Sequence, residues 1–339
     1  MLALALVSLF VAACSPSTES TSSSESDAEP IADVEPVPEP SFEGADAEPA
    51  TAPELEPLPT GLKLLAHRGV HHTFDLDGVD DQTCTATRID PPTHSLFENT
   101  LPSIEAAFAA GAVVVEIDIA PSSDGVLVVF HDWDVGCRTN GTGATRTLSW
   151  DELSQLDIGY GYSADGETYP LRGQGSGLMP RLEDVFAAFP SGQFLINFKS
   201  NDPAEAELLK QVVDATGAAE QVWAVYGGAG AVDAYVATTG ARGFDESSVA
   251  SCLGDYVAAA ESDSRLATCE NTVLLVPTNI GPALPGWPDA FVETMTSLGT
   301  DVILIGPGGA GVDTQNELDL LPGLDAFVWT NKVEELTLR

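Results

Sequence analysis

Two carboxylates and a histidine share the segment EIDIAPSSDGVLVVFHD, residues 116–132. Side chains alternate along a strand, so Glu116 and Asp118 project from one face. Adjacent buried carboxylates repel each other and lose hydration, and a hard divalent cation, Ca²⁺ or Mg²⁺, offsets both costs. His67 and Arg68 stand together in HRG, and Lys199 ends FLINFK. Imidazoles titrate near neutrality, so His67 and His131 can act as one base and one acid. Arg68 and Lys199 supply the positive charge that an anionic phosphoryl group requires.

These residues need elements to bring them together. Asp124-Gly125 is a two-residue hairpin signal. Such a turn places Ser123 against Val126 and, counting outward, Asp118 directly opposite His131, with Glu116 on the same face. Too few residues separate Asp118 from His131 for a crossover helix, so the return strand is antiparallel. Eight apolar runs spell out the remaining strands: 62–67, 113–118, 194–199, 222–226, 241–245, 272–277, 301–306 and 326–331. Most are separated by room for a helix. LPSIEAAFAAGA, for example, puts Ile104, Ala107 and Phe108 on one face before Gly111 ends it.

Eight β/α units of this length predict a TIM (β/α)8 barrel, with a strand–turn–strand arm at about 113–132 and inserted loops. No glycine-rich dinucleotide loop follows the first run, which argues against a doubly wound sheet. His67, Arg68, Glu116, Asp118, Asn197, Lys199, Asp245, Trp329 and Asn331 fall at or near the C-terminal ends of the runs. In a barrel that end is the catalytic face.

The rest of the chain bounds where this chemistry takes place. Residues 1–13 are an apolar run too short to span a bilayer and read as a signal peptide. VAAC ends it like a lipobox, which makes Cys14 the expected lipidation site and a bacterial cell envelope the expected location. Residues 14–60 are an acidic Ser/Pro/Glu tether with no base, unable to bury a core. Residues 61–339 form the folded domain.

The chain has 13 Lys and Arg against 52 Asp and Glu, a formal charge of −39. Twelve of those acids lie in the tether, which leaves the domain at −27. That surface argues against nucleic acid as a partner and against membrane contact other than through the anchor. Cys84, Cys137, Cys252 and Cys269 form an even set in an exported chain, with three pairings available. Cys84–Cys137 and Cys252–Cys269 are favoured, the first joining two long insertions and the second closing a local loop.

HRG (67–69), ENT (98–100), EID (116–118), DG (124–125) and HD (131–132) occur in an order that resembles the glycerophosphodiester phosphodiesterase family. The resemblance continues through CRTNGTG (137–143), LSWDELSQLDIGYG (148–161), MPRLEDVFAAFP (179–190), NFK (197–199) and VWTN (328–331), covering residues 62–339. It implies a barrel enzyme that cleaves glycerophosphodiesters to sn-glycerol 3-phosphate and an alcohol, with one divalent cation as cofactor. On that resemblance His67 and His131 match the acid/base pair, Glu116 and Asp118 match metal ligands, and Arg68 and Lys199 match phosphate contacts. Glu98, Asn99 and Trp329 stand beside the site.

Two departures accompany the match. Asn197 occupies a position where the family often has a glutamate as third metal ligand. An insertion of about thirty residues follows Arg68, and its His71, His72 and His94 read as packing or surface residues. Two other readings carry alternatives: a phospholipase-D-like lyase on the same barrel, and a surface lipoprotein that binds glycerophosphodiesters without cleaving them.

Overall fold

A computed structural model describes residues 61–79, 83–259 and 265–336, so the expected signal peptide, Cys14 and the tether lie outside the described residues. Each of the eight apolar runs is a strand: β1 (Leu62–His67), β2 (Ala112–Pro121), β4 (Phe194–Phe198), β5 (Val222–Gly227), β6 (Gly243–Phe244), β7 (Val273–Pro277), β8 (Asp301–Ile305) and β9 (Ala326–Thr330). β3 (Leu127–Val129) is the return arm. The sheet order is β6-β5-β4-β2-β1-β9-β8-β7, and every neighbouring pair on this path is parallel. Such strands are covered on both faces, and this explains their near-continuous Val, Ile and Leu.

Helices α1 (Leu101–Ala109), α2 (Trp150–Leu153), α3 (Leu182–Ala188), α4 (Pro203–Thr216), α5 (Ala229–Thr239), α6 (Glu246–Ala259), α7 (Asp289–Ser297), α8 (Gln315–Asp319) and α9 (Val333–Leu336) complete the chain. Local sequence starts and stops them. Asp202 accepts from the Ala204 N–H at 2.9 Å before Pro203 opens α4, and Gly217, at φ +69°, closes it. Among the described residues no helix is long and apolar enough to cross a membrane. The barrel is nearly closed: β6 and β7 share no ladder, but the Thr272 hydroxyl donates to the Gly243 carbonyl at 2.8 Å across the seam.

The hairpin departs from its expected register. Ser122 N–H donates to Val126 O at 2.8 Å and Gly125 N–H donates to Ser122 O at 3.1 Å, which makes a three-residue loop. Only Gly125 takes a positive φ, +82°. The Asp124 carboxylate instead accepts from the Ser122 hydroxyl at 2.6 Å and from Trp150 N–H at 2.9 Å. A two-residue turn of the expected type needs positive φ at both central positions. Pairing therefore runs Ile119 to Val129 and Pro121 to Leu127. Asp118 faces Phe130, whose N–H donates to its carbonyl at 3.0 Å, and not His131. A one-residue slip exchanges the faces of a strand. His131 lies past the end of β3, where the ladder no longer fixes its direction.

A second apolar cluster sits apart from the barrel core. It joins Ala86, Ile89 and Phe97 of the first insertion to Val128, Phe130, Val135, Leu153, Ile158, Tyr162 and Met179. Cys84–Cys137 crosses this layer, and Cys252–Cys269 ties α6 to the segment before β7. Both match the favoured pairing. Loops of 53 and 17 residues give stabilisation of about 2–4 kcal/mol for each cross-link. Denaturant unfolding of Cys84→Ser/Cys137→Ser should register that loss. Non-reducing peptide mapping that joined Cys84 to Cys252 would contradict the pairing.

Candidate active site

β1 delivers His67 and Arg68 to the C-terminal rim, with His67 in register with Glu116 of β2. The His67 Nδ1 lies 2.7 Å from Asn331 Oδ1, so it carries the proton and donates, leaving the Nε2 lone pair free. Nε2 lies 3.8 Å from Glu116 Oε2, and the Trp329 ring packs on the imidazole at 4.7 Å between centroids. Asn331 is itself fixed. Asp313 accepts from its backbone N–H at 2.6 Å and from its Nδ2 at 2.9 Å.

Arg68 adopts φ +58° and Asn99 φ +59°, a left-handed geometry that costs energy outside glycine. Neighbours hold both. Asn99 N–H donates to Arg68 O at 3.0 Å, and the Ser103 hydroxyl donates to the same oxygen at 3.1 Å. The turn aims Arg68 N–H at Glu116 Oε2, 3.1 Å away, and sets the guanidinium Nε 3.2 Å from Asp118 Oδ2. Asn99 grips Asp118 twice: its Nδ2 donates to Oδ2 at 2.9 Å, and its Oδ1 accepts from Asp118 N–H at 3.0 Å.

β4 and β5 close the floor. Asp118 and Asn197 are register partners, as are Asn197 and Tyr226. Asn197 Nδ2 donates to Asp118 Oδ1 at 2.8 Å, Lys199 Nζ lies 3.7 Å from that oxygen, and the Tyr226 hydroxyl donates to Glu116 Oε1 at 2.8 Å. The amide oxygen of Asn197 lies against Gly227, where a Cβ would come within 2.6 Å of it. Glu116 and Asp118 are fully buried.

Burial and the adjacent Asp118 push the Glu116 carboxyl up to about 8. Burial acts on Asp118 in the same sense, but Arg68 and Lys199 overcome it and hold that carboxyl well below its usual range. The floor thus holds one secure charge and one carboxyl that keeps its proton at neutrality for want of positive charge. That is the electrostatic condition a hard cation relieves, so the two carboxylates fit one. Among the described residues no group of three His, Cys, Asp or Glu forms a metal site. A cation would therefore rest on Glu116, Asp118 and neutral oxygens; Asn197 would offer one after a half-turn of its amide.

The stability of the cation-free protein follows from these shifts. Glu116 ionises near 4.5 in the unfolded chain and near 8 when folded, so its contribution is lost as pH rises through that interval. Burial lowers His67, His71, His72 and His131 below 6.5, so they favour folding increasingly as pH climbs to that value and are neutral in both states above it. Between about pH 6.5 and 8 the histidine trend is spent and the raised carboxyls remain, Glu116 foremost, with Glu205 and Glu334 pushed up by burial in the same sense. In EDTA the thermal midpoint should fall across that window, and Glu116→Gln should flatten the fall. A flat wild-type profile would contradict the raised carboxyl.

His131 joins the rim from the return arm. Its Nδ1 contacts Asp132 Oδ1 at 2.7 Å. Burial, Arg68 and Lys199 lower its pKa, while Asp118 and Asp132 oppose them. Glu98 ion-pairs with Arg68 Nη1 at 3.3 Å and with Arg138 Nη1 at 3.1 Å. Asp245, grouped with the rim by its position, does other work: its carboxylate accepts from Ser247 and Ser248 N–H at the start of α6. His72 stacks on His94 at 4.4 Å, and His71 meets the edge of His67 at 5.6 Å, in keeping with packing roles. Sequence reasoning missed Tyr226, Asp313, Asp132 and Arg138. Two of them carried a local signal: Asp132 adjoins His131 in the HD pair, and Arg138 is a lone base beside a cysteine expected to be cross-linked.

Paired carboxylates, two cations and two anchored histidines gathered on the C-terminal rim of an eight-stranded parallel barrel place the site where enzymes of this fold class carry theirs. A profile of the glycerophosphoryl diester phosphodiesterase family matches residues 67–239, and the chain belongs to that family. It is 32% identical to a Mycobacterium tuberculosis protein over 154 residues, 44% of this chain and 50% of that protein. It is 33% identical to a glycerophosphodiester phosphodiesterase of Caldanaerobacter subterraneus over 104 residues, 30% of this chain and 39% of that enzyme. The match thus spans half or less of these relatives' length.

Solved structures share the fold. The glycerophosphoryl diester phosphodiesterase domain of the Mycobacterium tuberculosis protein superposes with a TM-score of 0.55 at 20% identity, covering 81% of this chain and 97% of the domain. An Oleispira antarctica phosphodiesterase, solved with its product sn-glycerol-3-phosphate, gives 0.51 at 20% identity, covering 83% and 96%.

Proposed function

We propose that the protein hydrolyses glycerophosphodiesters to sn-glycerol 3-phosphate and an alcohol, using His67 and His131 and a divalent cation, Ca²⁺ or Mg²⁺. One observation carries the assignment of roles: His67 is anchored by the neutral amide of Asn331, and His131 by the carboxylate of Asp132. The Asp132 carboxylate stabilises an imidazolium, and a bound anionic phosphodiester would offset the Arg68 and Lys199 charges that hold His131 neutral without it. That makes His131 the better proton donor once substrate is in place; the amide leaves the Nε2 of His67 a free base. The product bound to the Oleispira antarctica enzyme supports the choice of substrate.

Arg68 and Lys199 hold the phosphoryl oxygens. His67 Nε2 removes the proton of a glycerol hydroxyl, whose oxygen bonds to phosphorus as the bond to the departing alcohol breaks. His131 delivers the proton to that alcohol. In the second half His131 takes a proton from water, which opens the cyclic phosphate, and His67 returns one to the glycerol oxygen. A cation at Glu116 and Asp118 would supply Lewis acidity and neutralise phosphoryl charge. Cys14 lipidation would tether the enzyme to an envelope membrane, and fatty-acid labelling that survived Cys14→Ser would refute that part.

The test is a panel of glycerophosphodiesters with and without EDTA, followed by phosphorus NMR. Glycerol 3-phosphate as the end product supports the reading. A cyclic phosphate that persists identifies a lyase instead, and tight binding without turnover identifies the binding protein.

A further inference from the structure

Arg138 has no part in the chemistry above, yet its side chain is 3% exposed, against 11% for Arg68 and for Lys199. Each of its three guanidinium nitrogens faces a partner, the two carboxylates at ion-pair distance without hydrogen-bond geometry and the two hydroxyls as hydrogen-bond acceptors. Nε pairs with Asp132 Oδ2 at 2.9 Å, Nη1 pairs with Glu98 Oε2 at 3.1 Å and donates to the Tyr162 hydroxyl at 3.0 Å, and Nη2 donates to the Thr85 hydroxyl at 2.8 Å. The two carboxylates it joins lead to different parts of the site. The other oxygen of Asp132 contacts His131 Nδ1, and the other oxygen of Glu98 contacts Arg68 Nη1. An alternating row of charges thus runs from His131 to Arg68 and on to Asp118.

Resting on the proposed hydrolysis, we infer that Arg138 is a positioning residue that fixes the proton donor His131 and the phosphate-holding Arg68 relative to one another. Only a planar fork with several donors spans carboxylates on separate edges; an ammonium is a single point. The backbone on both sides is pinned as well. Cys137 precedes Arg138, Cys84 precedes its partner Thr85, and the two cysteines are cross-linked. Gly161 packs so closely on this turn that a Cβ there would meet Cys137 O at 1.9 Å.

A double-mutant cycle on the full chain with glycerophosphoethanolamine reads this role. Arg138→Lys keeps the charge and loses the span. It should lower kcat by roughly 10–100-fold, the usual effect of an outer orienting partner, and raise KM. In a His131→Ala background the same change should lower kcat less than about threefold, because the group it positions is gone. Glu98→Gln should reproduce the KM rise alone, and Asp132→Asn the kcat loss alone; these two near-isosteric variants carry the test if Arg138→Lys fails to fold. Independent, multiplying losses in the cycle would mark a structural role and overturn the inference, as would Glu98→Gln and Asp132→Asn without effect. A wild-type protein inactive on every glycerophosphodiester would overturn the hydrolysis reading itself, and this inference with it.

Discussion

Alanine at His67 or at His131 should lower turnover by roughly 10²–10⁴-fold, the contribution of a positioned acid or base. The two variants differ in what rescues them. A nitrophenyl leaving group departs without a proton, so it should restore His131→Ala and leave His67→Ala slow. This split follows from the anchors, an amide that leaves His67 a base and a carboxylate that favours charge on His131. Rescue of His67→Ala alone would reverse the roles, and near-normal turnover in both folded variants would remove the pair from the mechanism.

Chelation should have the second large effect: EDTA is expected to abolish turnover, and Ca²⁺ or Mg²⁺ to restore it. Glu116 is the reason: burial and Asp118 push its carboxyl up to about 8, so an added cation would gain two charges where the cation-free floor keeps one. Asn197 sharpens the test. Its Nδ2 now donates to Asp118, and Asn197→Glu sets a third carboxylate beside the pair. The variant should bind the cation at least about tenfold more tightly. It should also be less stable than wild type in EDTA, because like charges then crowd a buried site. Unchanged affinity in calorimetry would take residue 197 out of the coordination sphere, and full activity in EDTA would refute the cation.

The barrel was legible because parallel strands buried on both faces must be apolar runs, and each such run became a strand. β6 shrank to Gly243–Phe244, and β2 ran on to Pro121 because β3 gave it a partner. Glu116, Asp118, His67 and Arg68 were legible from alternation and strand ends. The hairpin register was not, since Asp124 is drawn to Trp150 across 26 residues, a contact that no local turn rule contains. Asp245 misled because a carboxylate after a strand serves equally well to cap the next helix. The anchors Asp313 and Tyr226 come from a separate loop and strand, and no spacing within one element announces their meeting; Asp132 adjoins His131, but nothing local shows that its second oxygen meets Arg138.

The seam between β6 and β7 has a consequence for how the molecule moves. Strands lacking a ladder on one side open by local fraying, while those in the middle of a sheet exchange their amide hydrogens only in larger openings. The strand order puts β4, β2, β1 and β9 in the middle of the path, and those four carry Asn197, Glu116, Asp118, His67 and Trp329. The barrel can therefore breathe at its junction while the rim opposite keeps its geometry, so that its softest and its most exacting parts lie on opposite sides.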